Sequence, residues 1–386
     1  MAATFSMQPL ERFAGSNAAI KRPKEFACFS YDQDHKFHLG DSSLKWYYNP
    51  EIGTDLSQGF DTFVKHDDSA DEHLDSLLET IASHEKETGK AIDAHIVTWR
   101  GMLTKIMAAP FEDRDGFEMN ATLYRGSIFI EENHQYKQAS RAEQDSQPWR
   151  GPIPQEVMQY WGYKFETLCT MPAPWGETSR EYIEGRDKQI VNNKEQYCSV
   201  VRTGFDETVM CLGGEVDCVW DSKTLTGVAN NWVELKTTAE ITSERDMDNF
   251  ERKLLKFWIQ SFLLGVPKII VGYRSRDGKL LRTEELATEK IPTSILKRGR
   301  VNWNGNVCVN FASAFLKWLR QTIDDEGVWR IRRKPRSPHI EVFKVEEVGH
   351  GNIITDNFMN WRIKFSLSQS SANQPSPTQL PDTQPA

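Results

Sequence analysis

The chain has few cysteines, and no two of them have a metal-binding or redox spacing. Its six cysteines are scattered, without a C-x-x-C pair. This excludes a zinc ribbon and predicts reduced, buried thiols in a protein that works inside the cell. A Walker loop is also missing, and no Ser/His/Asp or Cys/His triad can be identified. The chemistry must therefore come from other residue types.

Long apolar stretches are absent as well. No run approaches the roughly 18 residues that a membrane-spanning helix needs, and Pro267 and Lys268 interrupt the most apolar segment, residues 262–273. The first residues lack a basic start followed by an apolar core, so we expect no signal peptide. These absences predict a protein with no membrane partner.

Positive charge is not in excess, because the formal net charge is −8 over 386 residues. The composition, 39% apolar and 26% charged, is typical of a globular chain. If such a protein binds nucleic acid, positive charge must be local, and a metal ion must offset any acidic site. The one strongly basic cluster, residues 330–336, suits a nucleic-acid contact, a nuclear import signal or a solvated surface equally well.

The pattern of residues predicts one catalytic domain over 1–366 and a disordered, Ser/Gln/Pro-rich tail over 367–386. We predict an irregular lead-in over 1–25 and a polar surface loop over 132–151. Apolar periodicity in the central part, which holds the core motifs over 98–274, predicts a helix over 154–170, strands over 196–203, 209–220 and 232–237, a long helix over 246–264 and a strand over 268–273. This order predicts an α+β (mixed α/β) fold and not a run of parallel βαβ units.

Two short acidic motifs carry most of the chemical information. Gly214-Glu215-Val216-Asp217 and Glu234-Leu235-Lys236 are separated by sixteen residues, and each places two charged side chains two residues apart in an apolar run. Because strand side chains alternate between faces, the charged residues of each motif share a face. If the strands pair, three carboxylates and one ammonium meet. Carboxylates this close repel each other without a cation, and their oxygens suit Mg²⁺ or Mn²⁺.

Ordinary salt bridges on an exposed strand face are the competing interpretation of these motifs. The flanking residues Val216, Val233 and Leu235 are apolar, which favours buried strands. Buried carboxylates need a partner or a metal ion. A lysine beside them is typical of metal-assisted cleavage of a phosphate ester or anhydride. The paired motifs therefore favour a metal site.

Three further residues are candidates for contact with this site. Glu166 lies on the helix predicted over 154–170, where a solvent-facing glutamate is the alternative. Gln260 lies on the long helix, beside its apolar stripe, where a solvated edge is the alternative. Arg100 ends a predicted strand and precedes a glycine, so it suits either a bidentate phosphate contact or a structural salt bridge.

Taken together, these motifs resemble those of the DXO/Dom3Z decapping-nuclease family, and most closely its fungal nuclear branch, which partners a 5′→3′ exoribonuclease. They occur in the family's order between Phe26 and Phe315. The matching segments are TWRG (98–101), GYKFE (162–166), QYCSV (196–200), GEVDC (214–218), VELKT (233–237), KLLK (253–256) and QSF (260–262).

The resemblance implies a core similar to the PD-(D/E)XK nucleases, with mixed sheets flanked by helices. It implies Mg²⁺ or Mn²⁺, as two ions, bound by Glu166, Glu215, Asp217, Glu234 and the main-chain carbonyl of Leu235. Substrate contacts are implied for Glu215, Lys236 and Gln260, the last two at the scissile phosphate or the attacking water. The RNA path is implied for Trp99, Arg100, Gly101 and Cys198, with Glu72 a weaker match.

The resemblance also implies an activity at RNA 5′ ends. Members of the family remove incomplete or aberrant caps, NAD caps and the 5′ triphosphate as pyrophosphate, and some degrade RNA from the 5′ end. A nuclear location and a nuclear 5′→3′ exoribonuclease partner are implied as well. Two alternatives stay open at this point: a restriction-like DNA nuclease with the same core, and a mainly non-catalytic protein that binds the exoribonuclease.

Overall fold

The computed structural model describes residues 2–15, 17–223 and 231–372. Within these ranges the chain forms sixteen strands and nine α-helices. The strands are β1 (Ala3–Ser6), β2 (Ile20–Tyr31), β3 (Phe37–Leu39), β4 (Trp46–Tyr47), β5 (Ile96–Trp99), β6 (Phe117–Tyr124), β7 (Ser127–Glu132), β8 (Thr170–Met171), β9 (Gln196–Phe205), β10 (Thr208–Glu215), β11 (Cys218–Val219), β12 (Trp232–Ala239), β13 (Lys268–Arg274), β14 (Leu280–Ala287), β15 (Val328–Arg333) and β16 (His339–Glu346). The helices are α1 (Asp75–Thr88), α2 (Arg100–Ala108), α3 (His134–Ser146), α4 (Gln155–Leu168), α5 (Arg180–Glu184), α6 (Glu244–Leu264), α7 (Ile291–Arg298), α8 (Gly305–Thr322) and α9 (Asp356–Ala372).

The strands form two mixed sheets. The larger has the order β1-β16-β15-β6-β7-β5-β10-β9-β2-β3, and the smaller has the order β14-β13-β12-β11-β4-β8. In the larger sheet β5 runs parallel to both β7 and β10. In the smaller sheet β12 runs parallel to β13 and antiparallel to β11. The predicted α+β class, with mixed sheets and flanking helices, is confirmed.

The long helix α6 packs into the main core between the sheets. Its N-terminus is capped by Ser243, whose hydroxyl accepts a hydrogen bond from the main chain of Asp246 at 3.2 Å. Phe250, Trp258 and Ile259 are among its buried residues. The helix ends at Gly265, which adopts a left-handed conformation with φ +74° that favours glycine. The predicted long helix over 246–264 is confirmed, two residues longer at its start.

Helix α4 packs against the smaller sheet and sets the position of Glu166. Phe165 and Leu168 are buried in a cluster with Leu235 and Ile270 of that sheet. Gly272 makes this approach possible, because a Cβ there would lie 2.5 Å from a ring carbon of Phe165. Since Phe165 faces the sheet, the next residue along the helix is directed toward the edge between the two sheets.

The strand predicted over 209–220 is wrong as a single element. β10 ends at Glu215 in the larger sheet, whereas β11 pairs with β12 in the smaller one. The chain crosses between the sheets at Val216 and Asp217. The pattern of apolar residues could not show this, because a run of buried residues suits either sheet and only pairing decides which sheet each residue joins.

Two segments predicted without regular structure form elements of the fold. Within 1–25, β1 pairs with β16 and β2 already begins at Ile20. Within 132–151, α3 is capped by Asn133, whose side chain accepts a hydrogen bond from the main chain of Tyr136 at 2.7 Å. None of the residues of α3 is buried, so the helix has no apolar stripe by which periodicity could have revealed it.

The predicted boundary between domain and tail falls inside a helix. α9 runs through residues 367–372, and the rest of the predicted tail, 373–386, lies outside the described residues. The helix is tied to the domain by the indole of Trp361, which donates to Glu85 at 2.9 Å, and by Arg362, which pairs with Glu85 at 2.6 Å. The side chain of Glu85 is fully buried, so removing Arg362 would leave a buried charge without its counter-ion.

Much of the basic cluster at 330–336 is used inside the fold. It lies mainly on β15, where Arg330 pairs with Glu118 at 2.6 Å and Arg332 pairs with Glu341 at 2.8 Å. Arg333 is buried and donates to main-chain carbonyls. These contacts favour a structural role for the three arginines.

None of the described helices has the length and apolar character needed to cross a membrane.

Candidate active site

Three carboxylates meet at the edge between the two sheets. Glu215 ends β10, Asp217 lies in the crossing to β11, and Glu166 comes from α4. All three line one cavity. The strand crossing itself creates this arrangement, because it carries two acidic residues into the space that opens where the sheets separate.

Glu234 lies beside this cavity between two cations. Its Oε1 atom is 2.6 Å from Lys236 Nζ, and its Oε2 atom is 3.6 Å from Arg100 Nη1. The side chain is only 2% exposed. Oε2 and Nη1 are both buried and have no hydrogen-bond partner within the described part of the chain. Buried polar atoms are normally paired, so these two mark a place where a ligand completes the bonding.

The pKa values of all three cavity carboxyls are raised. Burial raises the pKa of Glu166 well above its usual range, and the charges of Asp217 and Glu215 add to the effect. Burial also raises the pKa of Asp217 to about 7, with Glu234 as the next cause. For Glu215, burial raises the pKa although Arg100 opposes it. The three groups therefore cannot all be charged at neutral pH without a cation among them.

Glu234 and Lys236 behave in the opposite way and form a permanent ion pair. Burial by itself would raise the pKa of Glu234, but Lys236 and Arg100 outweigh it, so the pKa is lowered. Burial likewise opposes the charge on Lys236, but Glu234 and Asp217 raise its pKa. A buried lysine therefore keeps its positive charge at the cavity over the whole physiological pH range.

The ligand atoms fit a hard divalent cation. The main-chain N–H of Leu235 donates to Asp217 Oδ2 at 2.6 Å. In an extended strand the N–H and C=O of one residue point to the same side, so the carbonyl of Leu235 faces Asp217 as well. Together with Glu166, Glu215 and Glu234, this gives an all-oxygen set, which suits Mg²⁺, Mn²⁺ or Ca²⁺ and does not suit a thiophilic metal.

Arg100 reaches the site because β5 passes directly into α2 there. Gly214, on the neighbouring strand β10, permits the approach, since a Cβ at this position would lie 3.0 Å from Arg100 Cβ and 2.9 Å from Leu264 Cδ1. Trp99 and Gly101, on either side of Arg100, are half-buried. The indole N–H of Trp99 donates to the carbonyl of His73 at 2.9 Å, and its ring lines a separate groove.

Gln260 is brought to the same region by α6. Phe257, one turn earlier on the same helix face, lies with its ring centroid 5.9 Å from Lys236 Nζ. Cys198 lies directly opposite Glu215 in the pairing of β9 with β10 and is buried. Burial raises the pKa of the Cys198 thiol well above its usual value, with Glu215 as a further cause, so this thiol is not a nucleophile.

Glu72 does not join the acidic cavity. Its carboxylate lies in the groove beside Trp99 and contacts two histidines, His35 at 2.8 Å and His66 at 3.7 Å. The structure thus brings together Glu166, Glu215, Asp217, Glu234, Leu235, Lys236 and Arg100, pairs Cys198 with Glu215, and puts Trp99 and Glu72 along a neighbouring groove; Gln260 is half-buried on α6, one turn after Phe257.

Sequence reasoning missed Lys45. This lysine lines the acidic cavity and pairs with Glu195 at 3.1 Å. Its main-chain carbonyl accepts a hydrogen bond from Val219 at 2.9 Å, which fixes its position beside the strand crossing. Lys45 lies in an aromatic run far from the acidic motifs, so no spacing in the sequence connects it with them.

Comparisons with known proteins show to which family the chain belongs. The sequence model of the RAI1-like PD-(D/E)XK nucleases matches residues 21–359. A protein of Neurospora crassa named decapping nuclease RAI1 is 70% identical over 371 residues, which cover 96% of this chain and 90% of that one. A protein of the same name from Gibberella zeae is 62% identical over 374 residues, covering 96% and 99% of the two chains.

Solved structures show the same fold. Candida albicans Rai1 in complex with pU5 and Mn²⁺ matches with a TM-score of 0.86 at 32% identity, covering 95% of this chain and 100% of that one. Scheffersomyces stipitis Rai1 in complex with (3′-NADP)⁺ and a calcium ion matches with a TM-score of 0.85 at 32% identity, covering 94% and 100%. The chain belongs to the family of RAI1-like PD-(D/E)XK nucleases.

Proposed function

We propose that the protein is a divalent-metal-dependent decapping nuclease that hydrolyses RNA at its 5′ end. The substrates are aberrant or incomplete caps, NAD caps and the 5′ triphosphate, which leaves as pyrophosphate. The observation that carries the proposal is the cavity in which Glu166, Glu215 and Asp217 meet beside the buried Glu234–Lys236 pair. The names of the two fungal relatives, and the pU5 and Mn²⁺ bound to the Candida albicans protein, support it.

The cofactor we propose is Mg²⁺ or Mn²⁺, as two ions. Glu166, Glu215, Asp217, Glu234 and the carbonyl of Leu235 would hold them, since these oxygens share one cavity and its edge. When bound, such ions lower the pKa of a coordinated water and stabilise negative charge on the attacked phosphate. The Mn²⁺ and calcium ions named with the two Rai1 structures support a divalent cation.

Lys236 and Arg100 supply fixed positive charge to the phosphate. Lys236 is oriented by its 2.6 Å contact with Glu234 and cannot lose its proton at neutral pH. Arg100 Nη1 lies 3.6 Å from Glu234 Oε2 and makes no hydrogen bond within the described residues, so it can donate to a phosphate oxygen without breaking one. Preorganised donors of this kind stabilise a transition state more than the ground state, because they need no rearrangement as charge develops.

Gln260 and the groove beside Trp99 position the substrate. The amide of Gln260, one turn from Phe257 on α6, is suited to orient the attacking water or a phosphate oxygen. Trp99 directly precedes Arg100 and offers an aromatic face in the neighbouring groove. We assign the RNA chain to this groove, with Gly101 and Cys198 at its border, since bases stack on exposed aromatic rings in sequence-independent binding.

A hydrolysis assay tests the proposal. RNAs with a 5′ triphosphate, an unmethylated cap, a methylated cap or NAD are incubated with the protein and Mg²⁺, and the released 5′ fragments are identified by mass. We expect hydrolysis of at least one of them by the wild type and none by Asp217→Asn, with equal circular dichroism spectra. Full activity of Asp217→Asn, or of the wild type in EDTA, would refute the metal mechanism. Preference for duplex DNA in the same assay would favour a restriction-like DNA nuclease.

We also propose that the protein acts in the nucleus, where it stabilises and stimulates a 5′→3′ exoribonuclease. The resemblance of the motifs to the fungal nuclear branch supports this part. The test is the rate of RNA degradation by the purified exoribonuclease with wild-type protein and with Asp217→Asn. Stimulation by both proteins supports a binding role separate from catalysis, whereas no stimulation by either contradicts it. Fluorescence of a tagged chain in fungal cells tests the location.

A further inference from the structure

Outside the acidic cavity, two imidazoles and one carboxylate converge in the groove beside Trp99. His35 Nε2 lies 2.8 Å from Glu72 Oε1, and His66 Nε2 lies 3.7 Å from the same oxygen. One nitrogen or oxygen of each residue lies within 4.8 Å of those of the other two. His66 and Glu72 lie in one loop, residues 63–74, and His35 comes from the turn between β2 and β3, so their meeting is a property of the tertiary structure.

The hydrogen bonds of His35 direct its Nε2 atom at the carboxylate of Glu72, 2.8 Å away. Its Nδ1 atom lies 2.9 Å from the carbonyl oxygen of Lys194. A carbonyl only accepts, so Nδ1 carries the proton and the lone pair of the neutral ring is on Nε2. That lone pair faces the oxygen of Glu72, which is also an acceptor when ionised. A proton or a metal cation must lie between them, and metal-bound histidines usually donate their other N–H to such a carbonyl.

Turn and ring contacts hold the imidazole of His35 in place. Its φ angle of +65° belongs to the turn between β2 and β3, where its N–H donates to the carbonyl of Asp32 at 2.9 Å. The ring stacks on Tyr31 at a centroid distance of 4.0 Å, and the ring of His66 lies at the same distance. These contacts place both imidazoles beside Glu72.

The same scaffold forms a wall of the catalytic cavity. The main-chain N–H of His66 donates to Asn193 Oδ1 at 2.7 Å, and Lys194 holds His35. Asn192 and Asn193 line the acidic cavity on the other side. A ligand that fixes the two histidines therefore also fixes the segment that separates the groove from the cavity.

We propose that His35, His66 and Glu72 bind one divalent transition-metal ion of the Zn²⁺ class, which ties the β2–β3 turn to the loop over 63–74 next to the catalytic cavity. Two imidazole nitrogens and one carboxylate oxygen, with water in the remaining position, are a ligand set that Zn²⁺ accepts. The all-oxygen cavity instead prefers Mg²⁺ or Mn²⁺. The groove is also lined by the acidic residues Asp68, Asp71, Glu131 and Glu132, which attract a cation.

Calorimetric titration of the metal-stripped full chain with Zn²⁺ tests the proposal. Excess Mg²⁺ in the buffer occupies the oxygen ligands of the acidic cavity, so that Zn²⁺ reports on the nitrogen site. We expect one Zn²⁺ per chain and a gain in thermal stability. His66→Ala and Glu72→Gln should each weaken the binding by about 100-fold or more, exceeding the loss typical of an outer-shell change. Co²⁺ in place of Zn²⁺ should give a visible absorption band that both variants lose.

Two control variants define the outcome. His38→Ala removes an imidazole three residues from His35 that pairs with Asp32 and is 48% exposed, and it should keep the Zn²⁺ site. Asp217→Asn, in the acidic cavity, should keep it too. The proposal is overturned if the wild type binds no stoichiometric Zn²⁺, if Asp217→Asn alone abolishes the binding, or if Glu72→Gln leaves Zn²⁺ affinity unchanged and weakens only RNA binding. Circular dichroism of each variant shows whether it is folded.

Discussion

The raised pKa of Asp217 predicts that the metal-free protein becomes less stable as pH rises. The carboxyl is protonated in the folded chain up to about pH 7, whereas in the unfolded chain it ionises near 3.8. The stabilising contribution is therefore fully present below pH 3.8 and is lost as pH rises through about 7. Replacing Asp217 by asparagine removes this dependence and keeps an oxygen that accepts from the N–H of Leu235.

The size of the effect follows from the buried position of the carboxyl. Each pKa unit corresponds to about 1.4 kcal/mol, so about 2.7 kcal/mol of stability is lost between pH 5 and pH 8, because pH 5 lies about two units below the folded pKa. For a chain of this length, an unfolding entropy of about 2.1 cal/mol/K per residue converts 1 kcal/mol into about 1.2 °C of melting temperature. The expected difference is about 3 °C.

Differential scanning fluorimetry in EDTA measures this difference in melting temperature. We expect the melting temperature of the wild type to fall between pH 5 and pH 8 by about 3 °C more than that of Asp217→Asn. Mg²⁺ should restore stability mainly at pH 8, since metal ions and protons compete for the same oxygens. Asp34→Asn, at a site that is 76% exposed, is the matched control and should follow the wild type.

The reasoning is refuted if Asp217→Asn loses as much stability between pH 5 and pH 8 as the wild type. It is also refuted if Mg²⁺ stabilises the wild type equally at both pH values. Either result would mean that the Asp217 carboxyl is already ionised in the metal-free fold. The negative charge of the cavity would then not require a bound cation.

Three further variants test other parts of the site. Glu234→Gln leaves Lys236 and Arg100, whose side chains are 24% and 15% exposed, without their buried anion. It should lower the unfolding free energy in urea denaturation by about 3 kcal/mol, the low end for breaking a buried pair, and RNA hydrolysis at least 100-fold; an unchanged urea midpoint would contradict the ion pair. Lys45→Met should slow hydrolysis, but less than Lys236→Met, because Lys45 pairs with Glu195 outside the acidic motifs, whereas Lys236 pairs with Glu234, a proposed metal ligand; equal losses would contradict this ranking. Gly272→Ala should cost about 1–3 kcal/mol through contact with Phe165, and Phe165→Leu should relieve part of it in thermal melts.

Local patterns in the sequence predicted the elements that hold the site. The apolar stripes over 154–170 and 246–264 correspond to α4 and α6, and alternating or apolar runs correspond to β9, β12 and β13. These elements are visible because each buries one side or both, and burial leaves a regular pattern. Helix α3 was not predicted from the sequence, because none of its residues is buried.

The sequence by itself determined which residues carry the chemistry: two acidic motifs, a lysine within one of them and an arginine at a strand end. Only the tertiary structure decided how they meet. Glu215 and Asp217 do not share one strand face, because the chain changes sheets between them, and that crossing opens the cavity. Lys45 and the cluster of His35, His66 and Glu72 come from distant loops. Contacts between segments far apart in the chain depend on pairing and packing, which leave no periodic trace in the sequence.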